Sequence, residues 1–352
     1  MKEQIIKEIE RIIGNPYISE SDILYKIKEV YDRNSREDLA VIEPASISDL
    51  LSKQLEKIEG NFKDIEFIKT GFSDLDNLLG GFGANEFVII GGRPAMGKTQ
   101  LLINLALNIS QNMPVLFISH DLSESAITNR CLSSLSDVES SKILMHNLND
   151  EEKLKLSSQQ KNIGNYQLFV NSYPSTSVDY LKSHCIRQIE EKNIKVIMID
   201  YIQVLSSEKY HNKRELEISN ICRELKRLAC EHNVCVVAVS QLNRGVEGRY
   251  GDNKRPNLSD LRESGAIEQE ADKVLFLYRP EYYRIIEDCD GSSLINVAEL
   301  IVAKNRNGRI GDVVLKRTPG FTKFMDFYHY DTDSFSFGAE RLKEIIERES
   351  PF

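Results

Sequence analysis

Residues 92–99 read Gly-Arg-Pro-Ala-Met-Gly-Lys-Thr, a phosphate-binding loop, and no other stretch restricts the fold as much. The loop follows the apolar run Phe87-Val88-Ile89-Ile90 and opens an amphipathic segment, 101–109. That is the strand, loop and helix context the motif requires. Gly92 and Gly97 let the backbone curl until successive N–H groups converge on phosphate oxygens. A helix beginning near Gly97 aims its positive dipole end at the same point. Lys98 can reach the outer phosphates, and the Thr99 hydroxyl can ligate a magnesium ion. The expected nucleotide-binding set is Gly92, Arg93, Pro94, Ala95, Met96, Gly97, Lys98, Thr99 and Gln100, with a nucleoside triphosphate and Mg2+ as ligands.

From Phe87 onward, apolar runs alternate with helical patterns. Strands are expected at 87–91, 114–118, 167–170, 195–199, 234–239 and 273–278, and helices at 97–110, 123–135, 177–192 and 214–231. Near-continuous apolar strands in that rhythm predict an α/β fold whose parallel sheet is covered on both faces. Beyond residue 296 the pattern changes to short antiparallel strands at 298–303, 312–315 and 324–327, joined by Asn307-Gly308 and Pro319-Gly320 turns.

Before the loop stand three short helical patterns. Their apolar faces are Ile5, Ile6, Ile9, Ile12 and Ile13; then Ile23, Leu24, Ile27, Val30 and Tyr31; then Ile47, Leu50, Leu51, Leu55 and Ile58. Ser21 and Ser46 are the expected N-caps, and residues 32–44 look like a linker. Two short helices cannot build a sizeable core alone. The expected division is a helical segment 1–44, a linker helix 45–62, a motor domain 63–335 and a helical tail 336–352.

Composition narrows the setting. Hydrophobic content of 41% and charged content of 28% describe an ordinary globular chain. No apolar run approaches the roughly 20 residues of a membrane helix, and acidic residues stand where a signal peptide carries its apolar core. No membrane association and a cytoplasmic location are expected. The six cysteines lack paired CxxC spacing, and several lie in apolar runs, so buried thiols are expected rather than a metal or disulfide framework. A net charge of −9 argues against general nucleic-acid adhesion. A local basic track remains open: Arg244, Arg249, Lys254, Arg255 and Arg262 face only Glu247, Asp252 and Asp260 across 241–262, although charged loops are usually just solvated.

The run Val196-Ile197-Met198-Ile199-Asp200 ends a buried strand in a carboxylate. Alone, Asp200 would read as an N-cap; with the phosphate loop upstream it becomes the second magnesium group. The strand at 234–239 runs into Ser240-Gln241, whose amide can donate to a γ-phosphate or an attacking water.

Five ordered blocks resemble the motor domain of DnaB-type replicative helicases. They are Thr70-Gly71-Phe72-Ser73-Asp74-Leu75-Asp76 with Arg93 to Thr99, Met198-Ile199-Asp200-Tyr201-Ile202-Gln203, Ser240-Gln241-Leu242-Asn243-Arg244, Asp260-Leu261-Arg262-Glu263-Ser264-Gly265-Ala266-Ile267-Glu268-Gln269, and Lys304-Asn305-Arg306-Asn307-Gly308. The resemblance spans about residues 70 to 330. It implies a RecA-like motor, here with a short helical N-terminal segment, that forms a homohexameric ring around single-stranded DNA. Lys98, Thr99 and Asp200 would bind Mg-ATP, and Gln241 would sense the γ-phosphate. Lys304 and Arg306 would reach the neighbouring subunit's ATP. Arg262, Glu263 (through its backbone N–H), Gly265 and Arg244 would contact DNA without reading bases.

Two departures matter. The family carries a glutamate in a Ser-Leu-Glu-Met run as the base for the attacking water; here Ser119-His120-Asp121-Leu122 places Asp121 there, one methylene shorter. The alternative role for Asp121 is an N-cap of the helix at 123–135. The other departure is length, since only about 44 residues precede the segment resembling the family's linker helix, where a helical domain of about 100 is usual. The implied function is ATP-dependent 5′-to-3′ DNA unwinding in replication, with a helicase loader or primase as a further partner. Two rivals remain open: a RecA-like ATPase that is no helicase, in recombination or regulation, and an ATP-binding DNA-loading partner with weak hydrolysis.

Overall fold

The computed structural model describes residues 2–14, 45–59 and 67–327, apart from 174–175, 211–212, 250–253 and 262–264, with isolated positions between 23 and 30. The chain divides into two compact units, Met1–Asp64 and Ile65–Phe352. The first contains helices α1 (Lys2–Ile13) and α2 (Ile47–Ile58). Ser46 caps α2 as expected, its side chain accepting from Ser48 N at 3.2 Å. Ile47, Leu50, Leu51 and Leu55 of α2 are all exposed. The expected Ser21 cap, the linker 32–44 and the tail 336–352 lie outside the described residues, as does most of the expected second helix.

The second unit is built on a nine-stranded sheet. Its parallel part comprises β3 (Phe87–Gly92), β4 (Val115–Ser119), β5 (Leu168–Ser172), β6 (Val196–Asp200), β7 (Cys235–Gln241) and β8 (Lys273–Tyr278). Strands β9 (Val297–Asn305), β10 (Gly311–Arg317) and β11 (Phe324–Asp326) add an antiparallel extension. The order is β11-β10-β9-β8-β3-β7-β6-β4-β5. Helices α4 (Lys98–Ser110), α5 (Glu124–Ser136), α8 (Val178–Lys192) and α9 (Arg214–His232) sit within a residue or two of the sequence-based positions.

Side chains alternate across each strand, so the continuous apolar runs feed two cores. Val88, Ile90, Phe117, Met198 and Val237 pack with Leu101, Leu102 and Leu105 of α4 on one face. Phe87, Ile89, Leu116, Ile197 and Val236 pack with Leu181 of α8 and Ile218, Ile221 and Leu225 of α9 on the other. Each such side chain contributes about 1.5–3 kcal/mol on full burial.

Several elements escape the periodic reading. A two-stranded antiparallel sheet joins β1 (Phe67–Ile68) to β2 (Phe82–Gly83) around α3 (Ser73–Leu79). The short helices α6 (Ser140–Leu144) and α7 (Asp150–Ser158) follow α5, and α7 buries no residue. At the start of β3 and β8, Glu86 and Lys273 form an ion pair that is almost completely buried. Removing one partner of such a pair costs about 3–5 kcal/mol.

Candidate nucleotide site and its open edge

Strand order places the phosphate loop where β3 lies between β7 and β8, at the carboxyl ends of parallel strands, where open α/β sheets bind ligands. The loop turns through Ala95 (φ 64) and Gly97 (φ 97), both left-handed, so N–H groups face inward as in an anion nest. Gly97 is required twice over, because a Cβ there would also fall 2.3 Å from Phe321 Cζ. Its backbone leads into α4, whose first residues are Lys98 and Thr99.

Lys98 is buried, and its Nζ donates to Arg93 O at 2.9 Å. Burial pushes its pKa down to about 8, with Asp200 opposing the shift. The Thr99 hydroxyl donates to Asp200 Oδ2 at 2.6 Å. Residues 101 positions apart thus meet at the mouth of the loop. A hydroxyl and a carboxylate so close supply hard oxygen donors suited to Mg2+, and burial raises the Asp200 pKa, a cost a bound cation would offset. The two residues fit the metal that the sequence implies.

Not every residue of the loop faces the phosphate cradle. The Arg93 guanidinium turns away, donating through Nε to Glu247 at 2.9 Å and through Nη1 to Leu242 O at 2.9 Å. Gln100 Nε2 donates to Thr322 O at 2.6 Å. Both side chains brace neighbouring segments, while the Arg93 backbone remains part of the loop and Gln100 lies in the first turn of α4.

Asp121 stands exposed on a turn between β4 and α5. Ser119 Oγ accepts from Leu122 N at 2.9 Å, and Ser172 Oγ donates to Leu122 O at 2.7 Å, so the turn is pinned on both sides. Burial raises the pKa values of Asp200 and Tyr201, and the Asp121 charge is near enough to add to both shifts. The capping alternative for Asp121 is corrected: Ser123 is the N-cap of α5, accepting from Ala126 N at 3.3 Å. The helix begins one residue later than expected, which moves the cap from the aspartate to the serine.

Gln241 ends β7 opposite Gly92. On its other side the β6–β7 pairing stops at Ile199–Ala238, and the Gln203 amide takes over. Gln203 Oε1 accepts from Gln241 N at 3.2 Å, and its Nε2 donates to Ser240 Oγ at 2.8 Å. Gln203 lies within one of the five blocks that resemble the family but has no assigned role there; an amide three residues past the candidate metal aspartate is the available signal.

The loop after β7 is more closed than its Gly, Asn and Pro content suggested. Leu242 bridges Leu261, and Asn243 N donates to Asp260 O at 2.8 Å. Much of the basic track is engaged internally: Arg249 with Asp260, Lys254 with Glu247 O and Arg249 O, and Arg255 with Glu299 and Asp312. Arg244 opens the single-turn segment Arg244–Gly248. Arg262 and Glu263 lie outside the described residues, and Gly265 begins helix α10 (Gly265–Glu270).

At the other end of the sheet, where β9 finishes beside the start of β8, Lys304 is the penultimate residue of β9 and Arg306 directly follows the strand. Lys304 Nζ donates to Glu268 O, and Arg306 pairs with Asp272 at 3.1 Å while remaining 44% exposed. Both therefore lie at the start of β8, whereas the phosphate loop follows the end of β3. Free cysteines 185, 222 and 235 are buried as expected, whereas 230 and 289 are exposed. Among the described residues there is no His, Cys, Asp and Glu cluster of metal-binding size, and no helix is long and apolar enough to cross a membrane.

A phosphate loop, a strand-end aspartate and a polar strand end on a parallel sheet with this order define a RecA-like nucleotide-binding domain. The sequence profile of the DnaB-like helicase C-terminal domain matches residues 67–326. A probable replicative DNA helicase of Trieres chinensis is 41% identical over 264 residues, covering 74% of this chain and 57% of the relative. The replicative DNA helicase DnaB of Rickettsia conorii is 34% identical over 357 residues, covering 92% and 72%. A solved DnaB-like replicative helicase, described with its interactions with primase, superposes with a TM-score of 0.75 at 31% identity, covering 92% of this chain and 76% of that one. The chain belongs to the DnaB-like replicative helicase family.

Proposed function

We propose that this chain is an ATP-hydrolysing motor that moves 5′ to 3′ along single-stranded DNA as a homohexameric ring and unwinds duplex during replication. The observation that carries the reading is the Thr99–Asp200 contact at the mouth of the phosphate loop, within a chain of this family. Lys98 exchanges its present partner, Arg93 O, for phosphate oxygens of ATP, and its ammonium offsets charge developing there. Bound Mg2+, held by Thr99 and Asp200, would supply further charge neutralisation at the phosphates. Asp121 accepts the proton of the attacking water, and Gln241 registers the γ-phosphate. Arg306 and Lys304 act on the neighbour's ATP, so hydrolysis depends on assembly.

Gln241 and Arg93 both lead from the nucleotide to the loop at 242–261: one continues its strand, the other grips Leu242 O and Glu247. Arg244, Arg262, Gly265 and the Glu263 backbone hold DNA phosphates along that side. The exposed apolar residues of α2 suit docking on an adjacent motor. Primase, named for the related structure, and a helicase loader are the expected partners, in the cytoplasm.

The deciding experiment pairs fork-substrate unwinding with ATPase measured with and without single-stranded DNA. ATP-driven unwinding with DNA-stimulated turnover is the expected result. Stimulated ATPase without unwinding would instead mark a non-helicase RecA-like ATPase, and ATP binding with almost no turnover a DNA-loading partner.

A further inference from the structure

The Arg306 guanidinium does not wave freely beyond the end of β9. Its main-chain N–H donates to Asp272 O at 2.9 Å, its Nη1 lies 3.1 Å from Asp272 Oδ1, and its Nη2 donates to Gln269 O. Lys304 Nζ donates to Glu268 O, one residue earlier on α10. Asp272 itself is buried, and its other oxygen accepts from Phe87 N at 2.8 Å and Lys226 Nζ at 2.7 Å. Phe87 is the first residue of the strand that ends in the phosphate loop.

A guanidinium has five N–H donors. Two of them are spent here within the subunit, leaving the others to an exposed head. An exposed ion pair is ordinarily weak, but this carboxylate is buried and anchored by a backbone N–H, so its position is fixed by the fold. We infer that Asp272 is the positioning residue of Arg306. It clamps the guanidinium to the end of α10, so that the helix beginning at Gly265 and the cation offered to the neighbour's ATP move together. This rests on the reading of Arg306 as the residue that completes the neighbouring site. Under it, DNA held near Gly265 in one subunit changes hydrolysis in the next through α10 and Asp272.

The test is steady-state ATPase of the full chain, with and without oligo(dT), for four variants. Asp272→Asn keeps an acceptor for Phe87 N–H but loses the charge that holds Arg306. Its KM for ATP should stay within about twofold, while kcat falls about tenfold or more and most of the oligo(dT) stimulation disappears. Lys226→Met removes the other cation on Asp272 and should leave both kcat and stimulation near those of the unmodified chain. Combining Asp272→Asn with Arg306→Ala should cause no loss beyond that of Arg306→Ala alone. If Asp272→Asn does not fold, Asp272→Glu carries the test, since it keeps the charge and displaces the carboxylate by one methylene. Unchanged kcat and stimulation, equal losses from Lys226→Met, or further loss in the double variant would overturn the proposal. Normal hydrolysis by Arg306→Ala would instead remove the underlying reading of Arg306.

Discussion

The phosphate loop and the end of β9 at Lys304 and Arg306 both present cations, yet they are finished to different degrees. Around Lys98 every element comes from one subunit: the loop, Thr99, Asp200 and the strand ending in Gln241 are in mutual register. Around Arg306 the fold supplies only the support, an anchored guanidinium that is half exposed. The first region is a site in itself; the second, on the proposed function, would be half of one. Under the proposed function, an arrangement of that kind would make catalysis conditional on a neighbour, whereas nucleotide binding would need no second chain.

The largest effect should break this comparison if it is false. Arg306→Ala should bind ATP normally and lose hydrolysis by about 10³-fold or more, the scale of an arginine that stabilises the transferred phosphoryl group. Lys98→Ala should lose a comparable factor through its own cradle. Mixed assemblies of the two variants should regain turnover, because some interfaces then join an intact cradle to an intact arginine. Titrating one variant into the other and following phosphate release measures this directly. Complete silence at every ratio would place both defects in the same site.

A second effect lies within the completed region. If Asp121 takes the proton from water, Asp121→Asn should reduce ATPase by about 100-fold, and Asp121→Glu should raise it above the unmodified rate by restoring the longer reach. Turnover measured at saturating ATP decides between them. Three equal rates would leave the site without its base.

On the open side, the expected change is smaller and lies in binding. Arg262→Ala should weaken single-stranded DNA binding about equally for all sequences and flatten its salt slope by about one phosphate. Affinities at four salt concentrations suffice. An unaltered slope would shift the DNA contact away from the residues before α10.

How much the chain discloses also differs between the two regions. The parallel strands were legible because most are continuous apolar runs bounded by turn residues, the pattern that burial on both faces demands, while the half-buried edge strand β5 keeps a shorter run, Leu168 to Val170. The phosphate loop was legible because its chemistry is local: eight consecutive residues carry it. What stayed hidden depends on partners distant in sequence. The Arg249–Asp260 and Arg255–Asp312 pairs neutralise a track that composition presented as free cations. The polar helix α7 has no buried side and leaves no apolar period to find. Gln203 became meaningful only when the β6–β7 ladder was seen to stop short of it.

The smallest effect separates structure from chemistry within three residues. Ser123 closes the first turn of α5 by accepting from Ala126 N, whereas Asp121 stands outside the helix on a turn held by Ser119 and Ser172. Loss of such a cap costs about 1 kcal/mol. Ser123→Ala should therefore lower the unfolding free energy by about that amount, with ATPase at 25 °C essentially unchanged. Asp121→Asn should do the reverse, leaving stability alone while turnover falls, because no helix N–H is lost with its charge. Denaturant melts of both variants beside their phosphate-release rates give the two-by-two comparison. If Asp121→Asn proved the destabilising change and Ser123→Ala the silent one, the aspartate would be serving the fold, and the water-activating base would have to be sought elsewhere around Asp200.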